Sequence, residues 1–138
     1  HFYFAIGDSA FKGTGLMRGM EFDLTGARKV LCIHPYVGLD YDAFDTDGYA
    51  AIVHMAYHSG RVNVAELNRF AAKHPDITVY LTAGRKKYDK TDLQPNIVQC
   101  HGIAPTALYI KLLIGLRNNV KDLTAFVMKN ACGELVKN

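Results

Sequence analysis

Apolar residues form four short runs along the chain, and each run is bounded by glycine, proline or polar residues. The runs cover residues 29–34, 49–55, 77–81 and 96–100. Their short length and their content of valine and isoleucine are typical of buried strands. The sequence therefore predicts four strands, each followed by a loop at its carboxyl end.

Three other segments have apolar residues at the spacing of a helix face. Asn63 is a suitable N-cap for the first, Glu66 follows three residues later as in a capping box, and Pro75 ends it. The second begins at Pro105, where proline is tolerated, and the third covers about 121–130. The predicted apolar faces consist of Val64, Leu67, Phe70 and Ala71 in the first helix, of Leu108, Tyr109, Leu112, Leu113 and Leu116 in the second, and of Leu123, Phe126 and Val127 in the third.

The alternation of strands with helices predicts an α/β fold with a parallel sheet. We expect a Rossmann-like or flavodoxin-like three-layer sandwich with about four parallel strands, in an order that the sequence leaves open, and with helices on both faces. A length of 138 residues suits one domain. Residues 29–138 are assigned to it. Residues 1–28, which are glycine-rich and irregular in pattern, are assigned to a connecting segment that could contain an edge strand at residues 2–6.

The chain has no apolar run of the roughly 18 residues that a membrane span requires. Its first residues contain only a short apolar stretch and no basic leader, which argues against a secretory signal. It begins with His1 rather than methionine, which suggests a processed or excised fragment. A cytoplasmic location is expected.

Charge and cysteine content narrow the function classes. The formal net charge is only +3, and the densest basic run, residues 85–87, is followed by Asp89 and Asp92, so it indicates a solvated loop rather than a nucleic-acid surface. The three cysteines have no metal-ligand spacing, and Cys32 and Cys100 lie in strand-like runs, where cysteine acts as a small apolar residue. We expect no nucleic-acid partner, no metal and no cofactor.

The polar loop within "MAYHSGRVN", residues 55–63, is the best candidate for a site. In parallel α/β sheets ligands bind at the carboxyl ends of the strands, and the N-terminus of the helix that follows this loop favours an anion. Exposed loops are polar in any case, so this pattern alone does not establish a site. The candidate residues are Tyr57, His58, Ser59, Gly60, Arg61 and Asn63.

Two other interpretations of this loop are not supported by its spacing. His54 and His58 are four residues apart, but they span a strand end and a loop, so the geometry of a helical zinc-binding pair is not expected. Ser59 follows His58 without the G-x-S-x-G pattern that surrounds a nucleophilic serine in hydrolases. The sequence therefore predicts neither a metal site nor a serine nucleophile here.

Four pieces occur in an order that resembles one known family. They are "KVLCIHPYVGLD", "YAAIVHMAYHSGRVNVAEL", "ITVYLTAGRKKYDKTD" and "APTALYIKLLIGL". They look like a strand with a P-Y-x-G-x-D turn, a strand with a Y-G-x-G-N loop and a helix, a V-V-x-T-S-x strand with a polar loop, and a proline-led buried helix. In this order they resemble the C-terminal domain of the two-domain bacterial L-asparaginase/glutaminase family, over residues 29–130.

The resemblance implies hydrolysis of the side-chain amide of asparagine or glutamine, without a cofactor. In that family the threonine nucleophile and its partners lie in T-G-G-T and T-D-T motifs of an N-terminal domain. This sequence has neither motif, so no catalytic residue is assigned to it. The glycine loop of the C-terminal domain completes the active site of a neighbouring subunit, which implies a homo-oligomer. The alternatives are a non-catalytic asparaginase-like binding or scaffold domain, and the related domain of a tRNA-dependent amidotransferase subunit.

The candidate loop departs from the family pattern at two positions. Aligning Tyr57 and Gly60 with Y-G-x-G-N places His58 where the family has glycine and Arg61 where it has asparagine. A guanidinium only donates hydrogen bonds, and it could pair with a substrate carboxylate through two of them. Alternatively the loop is two residues longer and Asn63 takes the asparagine's role. We favour Arg61, because the amide oxygen of Asn63 is needed for the helix cap.

Overall fold

The computed structural model describes residues 30–57, 61–84 and 86–129. These residues contain one parallel sheet whose strands follow each other in sequence order. The possible strand at residues 2–6 and the connecting segment 1–28 lie outside the described residues. The strands are β1 (Val30–Ile33), β2 (Ala51–Met55), β3 (Thr78–Thr82) and β4 (Ile97–Cys100).

Three α-helices follow the predicted pattern. They are α1 (Val64–Lys73), α2 (Pro105–Arg117) and α3 (Leu123–Val127). The third is shorter than the predicted 121–130. It begins late because the Asp122 side chain accepts a hydrogen bond from the backbone N–H of Ala125 and so caps the helix. None of the helices in the described ranges is long and apolar enough to cross a membrane.

The connections between successive strands all lie on one face of the sheet. Tyr41 from the β1–β2 connection, Phe70 from α1 and Leu93 from the β3–β4 connection belong to the same apolar cluster. A sequential order with right-handed crossovers requires this arrangement. The helices α2 and α3 cover the opposite face. The predicted α/β fold with a four-stranded parallel sheet and helices is therefore confirmed. Rossmann-like and flavodoxin-like orders contain a reversal, and the described strands contain none.

Both faces of the central strand β2 are buried. Ile52 packs on the α1 side and Val53 on the α2 side, and neither side chain is exposed to solvent. This explains the near-continuous apolar run of the sequence, because a parallel strand covered on both faces has no polar side. Among the predicted helix faces, Leu67, Phe70, Ala71, Leu108, Leu112, Leu113, Phe126 and Val127 are buried, and Val64, Tyr109, Leu116 and Leu123 are partly buried.

The helices α2 and α3 meet closely at Gly115. A Cβ atom at this position would lie 2.6 Å from Leu123 Cδ1, so glycine allows the approach. Lys111 is 2% exposed, and its ammonium donates to the carbonyl oxygens of Val127, at 3.0 Å, and of Lys129. A cation at the C-terminus of α3 also complements the helix dipole. This contact joins the end of α3 to the middle of α2.

The C-terminus of α1 is capped by the side chain of Asn96, which lies in the loop before β4. The Asn96 amide nitrogen donates to the carbonyl oxygens of Ala71, His74 and Ile77 at 2.9–3.0 Å. The terminal carbonyls of a helix have no partner within the helix, so an external donor is needed. Asn96 thereby fixes the turn that leads from α1 into β3.

Candidate functional site

A cleft of about 340 Å³ opens at the carboxyl ends of β1 and β2. It is lined by residues 35–39, Tyr41, Tyr57, Asn63 and Glu66. Three of the four large apolar or aromatic side chains that are exposed in the described ranges lie here, namely Tyr36, Val37 and Tyr57. The cleft is thus lined by exposed apolar and aromatic side chains together with the polar side chains of Asn63 and Glu66, a combination common in ligand sites.

The described residues of the predicted loop lie at this cleft or beside it. Tyr57 and Asn63 line it, and the backbone N–H of Tyr57 donates to the carbonyl oxygen of Arg61 at 3.1 Å, which closes the loop. Arg61 is exposed and is not among the lining residues. His58, Ser59 and Gly60 lie outside the described residues.

Asn63 has the predicted structural role. Its side-chain oxygen accepts a hydrogen bond from the backbone N–H of Glu66 at 3.2 Å, so it is the N-cap of α1. The Glu66 carboxylate pairs with Arg69, at 2.8 Å. The same residue, Asn63, therefore closes the helix and contributes to the wall of the cleft.

A buried tyrosine–histidine pair lies behind this wall. The Tyr41 hydroxyl lies 2.6 Å from His54 Nε2, and His54 Nδ1 lies 2.6 Å from the carbonyl oxygen of Met55. Tyr41 is 4% exposed, and His54 is completely buried. Thr82 Oγ1 donates to the carbonyl oxygen of His54, which joins the end of β3 to the pair.

The proton positions in this pair follow from its surroundings. Burial lowers the pKa of His54 to about 4, although the hydrogen bond to Met55 opposes the shift. Burial, followed by the charges of Tyr57 and Glu66, raises the pKa of Tyr41 to about 12. At neutral pH the imidazole is therefore neutral and the phenol protonated. A carbonyl oxygen only accepts, so Nδ1 carries the imidazole proton, and Tyr41 donates to Nε2.

Tyr41 and His54 are not among the site residues predicted from the sequence. For His54 the sequence raises only a metal-binding interpretation, which its spacing does not support, and no recognised motif surrounds Tyr41. The available signal was a histidine inside an otherwise apolar strand, because a buried polar side chain requires a hydrogen-bond partner. This pattern predicts that His54 has a hydrogen-bond partner, but it does not identify Tyr41 as that partner.

A group of exposed charges holds the β1–β2 connection against α1. Asp42 lies 2.9 Å from Lys73 Nζ and 3.5 Å from Arg69 Nη1, and Arg69 also pairs with Glu66. The hydrogen bond from Lys73, with its charge and that of Arg69, lowers the pKa of Asp42. Exposed ion pairs of this kind contribute little to stability.

Among the described residues, those that follow β3 and β4 do not line the cleft, and neither does His34 after β1. His34 is exposed after β1, and His101 Nδ1 lies 2.9 Å from the carbonyl oxygen of Gly84. Within the described ranges, no three His, Cys, Asp or Glu side chains are grouped so that they could hold a metal ion. Burial raises the pKa of the Cys100 thiol to about 12 and also raises that of Cys32, so neither is an activated nucleophile.

Fold and site together define a parallel α/β domain with a small-molecule-sized cleft at the carboxyl ends of its strands. Comparisons with protein-family models, with curated proteins and with solved structures find no match for the chain.

Proposed function

We propose that the chain is the C-terminal domain of an L-asparaginase-like amidohydrolase. It contributes the loop at residues 57–63 to an active site that an N-terminal domain and a neighbouring subunit complete. The observation that carries the proposal is the convergence of two separate asparaginase-like motifs. Residues 35–39 of the turn and Tyr57 and Asn63 of the loop line the same cleft, although the two motifs are separate in the sequence.

Within this proposal, Arg61 binds the substrate and Asn63 supports the loop. Arg61 is exposed and its guanidinium can form two parallel hydrogen bonds to a carboxylate. The amide oxygen of Asn63 is already occupied by the N–H of Glu66. The substrate is asparagine or glutamine, the protein is a cytoplasmic homo-oligomer, and no cofactor takes part.

Neither Thr82 nor Thr91 is placed to act as the nucleophile of the reaction. Thr82 is buried and its hydroxyl donates to the backbone of His54. Thr91 donates to the Asp89 carboxylate at 2.9 Å within a tight turn. A threonine nucleophile needs a neighbouring base and access to substrate, and these contacts are typical of structural threonines instead.

The purified 138-residue chain is expected to release no ammonia from asparagine or glutamine. The matching experiment is a chimaera in which residues 29–130 replace the C-terminal domain of a two-domain bacterial asparaginase. The chimaera is expected to hydrolyse asparagine, measured as ammonia release. Arg61→Ala in the chimaera should raise KM strongly, while Asn63→Ala should mainly destabilise α1, by ~1 kcal/mol.

Two results would contradict this assignment. A folded, oligomeric chimaera without activity would favour the binding or scaffold domain. Loss of activity with Asn63→Ala in a still-folded protein, with unchanged kinetics for Arg61→Ala, would show that Asn63 and not Arg61 takes the family asparagine's role. Circular dichroism of each variant provides the control for folding.

A further inference from the structure

The peptide unit between Arg61 and Val62 is held at both of its polar ends. Its carbonyl oxygen accepts from the backbone N–H of Tyr57 at 3.1 Å. Its N–H, which belongs to Val62, donates to the hydroxyl oxygen of Tyr88 at 3.1 Å. A peptide unit is planar, so two hydrogen bonds at its opposite ends leave it little freedom to rotate. The plane in turn limits the directions in which the Arg61 side chain can leave the backbone.

Tyr88 comes from a distant part of the chain and is itself anchored to the sheet. It lies in the β3–β4 connection, 26 residues from Val62. The side-chain amide of Gln99, in β4, accepts from the backbone N–H of Tyr88 at 2.7 Å and donates to its carbonyl oxygen at 2.8 Å. These two bonds reproduce the exchange of hydrogen bonds between neighbouring strands. Because Gln99 pairs with Leu81 of β3, Tyr88 is fixed relative to the sheet.

The aromatic ring of Tyr88 is also held in place. Tyr88 and Val62 both pack against the apolar cluster on the α1 side of the sheet. The Lys86 ammonium lies 5.5 Å from the centre of the ring, at the distance of a cation–π contact. Neither Tyr88 nor Gln99 lines the cleft, so any effect on a ligand there has to pass through the loop.

We propose that Tyr88 is a positioning residue for Arg61, and that Gln99 holds Tyr88 in the place where it can act. The Tyr88 hydroxyl keeps the Arg61–Val62 peptide unit in one orientation, and this orientation directs the guanidinium toward the substrate carboxylate. The substrate-binding part of this inference rests on the proposed function. The fixed orientation of the peptide unit does not, and it can be tested separately.

Hydrogen exchange in the 138-residue chain tests the fixed peptide unit. Tyr88→Phe keeps the ring and removes the acceptor of the Val62 N–H. The Val62 amide is expected to exchange about tenfold faster in this variant, as for the loss of one hydrogen bond. The amide of Tyr57 should also exchange faster, because its acceptor is the carbonyl oxygen of the same peptide unit.

Two further variants separate this effect from a general loss of stability. Tyr80→Phe also removes one tyrosine hydroxyl, which lies 2.8 Å from Thr124 Oγ1 on the other face of the sheet. It should leave the Val62 exchange rate unchanged even where it lowers the urea midpoint. Gln99→Leu releases the backbone of Tyr88 and should speed the exchange of Val62 in the same direction as Tyr88→Phe.

Kinetics of the chimaera test the effect on substrate binding. Tyr88→Phe is expected to raise KM about three- to tenfold, with kcat changed less than about twofold, because Arg61 binds the substrate carboxylate. Tyr80→Phe should leave KM unchanged. In a chimaera that carries Arg61→Ala, Tyr88→Phe should cause no further rise in KM, because the side chain that it positions has been removed.

Two results would overturn the inference. The first is unchanged exchange of Val62 and Tyr57 in folded Tyr88→Phe. The second is a rise in KM from Tyr88→Phe that is equally large with and without Arg61→Ala. An inactive chimaera together with faster exchange of Val62 would contradict the proposed function and still support the positioning of Arg61, so the two proposals can fail separately.

Discussion

At the scale of single residues, three polar side chains in or near the interior form hydrogen bonds with groups that would otherwise lack a partner. His54 accepts the Tyr41 hydroxyl and donates to Met55, Asn96 donates to three carbonyls after α1, and Lys111 donates to two carbonyls at the end of α3. An unpaired polar group in these places would cost about 1–3 kcal/mol. Substitution of any one of these side chains should therefore lower the free energy of unfolding by an amount of this order.

Protonation of His54 should make the protein less stable in mild acid. The pKa of His54 is about 4 in the folded state and near 6.5 when exposed, so between these values the unfolded chain binds a proton that the folded chain does not. Stability is therefore complete above about pH 6.5 and falls as the pH decreases toward about 4. The full loss is about 3 kcal/mol, at roughly 1.4 kcal/mol per unit.

Urea unfolding at several pH values in this window measures the effect. His54→Gln keeps an acceptor for Tyr41 but cannot titrate, so its stability should be lower at neutral pH and nearly flat between about pH 6.5 and pH 4.5. An equal slope in the variant and the unmodified chain would assign the acid sensitivity to other groups.

Asn96→Asp should destabilise the protein more than Asn96→Ala. Alanine only removes the donor to Ala71, His74 and Ile77, at a cost of about 1–3 kcal/mol. Aspartate places a carboxylate against three carbonyl oxygens, which adds electrostatic repulsion. Thermal unfolding at neutral pH compares the two variants. If aspartate is no worse than alanine, the three carbonyls do not face the side chain in solution.

At the scale of the elements, the sequence predicted what local patterns determine. The strands agree within two residues, and Asn63 and Pro105 were correctly placed at helix starts. The end of α3 was not predicted, because the carbonyls there are bound by Lys111, which is distant in sequence.

The candidate site was predicted only in part, because the sequence shows local patterns but not contacts between distant residues. Tyr57 and Asn63 belong to one loop whose polar pattern is visible in the sequence. Tyr41 and His54 meet only because the β1–β2 connection folds back over the sheet, and no local pattern in the chain encodes that contact. The strand order likewise depends on how the connections pack, and the spacing of apolar residues is compatible with several orders.

The C-terminus of α2 offers a test of backbone conformation. Asn119 has a φ of 53°, and the bonds from Asn119 N–H to Leu116 and from Val120 N–H to Gly115 form a Schellman motif. Asn119→Gly should therefore stabilise the protein by about 0.5–1 kcal/mol. Asn118→Gly should have the opposite sign, because Asn118 has a φ of −98° and its side chain donates to Ile114. The urea midpoints of the two variants, compared with that of the unmodified chain, measure these stability changes. Stabilisation by Asn118→Gly instead of Asn119→Gly would contradict the assigned backbone conformation.

At the scale of the whole molecule, the sheet determines where the structure is most stable. The strands β2 and β3 are paired on both edges and covered on both faces, whereas β1 and β4 each pair with one described strand. Opening of the centre requires the loss of both apolar clusters, which is close to global unfolding.

Native-state hydrogen exchange should show this gradient. The amides of Ile52, Val53, Tyr80 and Leu81 are expected to exchange slowest, at rates set by the global free energy of unfolding. The amides of the 3-10 turns at Tyr41–Ala43 and Lys90–Asp92, which are short and mostly exposed, should exchange fastest among the described elements. Slower exchange in these turns than in β2 would contradict the arrangement of the core.

The placement of all strand connections on one face has a consequence for synthesis on the ribosome. All four strands and α1 are made before α2 and α3, the only described helices that cover the other face. A nascent chain that ends near residue 104 therefore carries a sheet with one bare apolar face, and such surfaces aggregate or recruit chaperones. A stop codon between residues 105 and 127 removes much or all of that covering layer rather than trimming an end. Such truncated products should be cleared by proteases instead of accumulating as slightly weakened proteins.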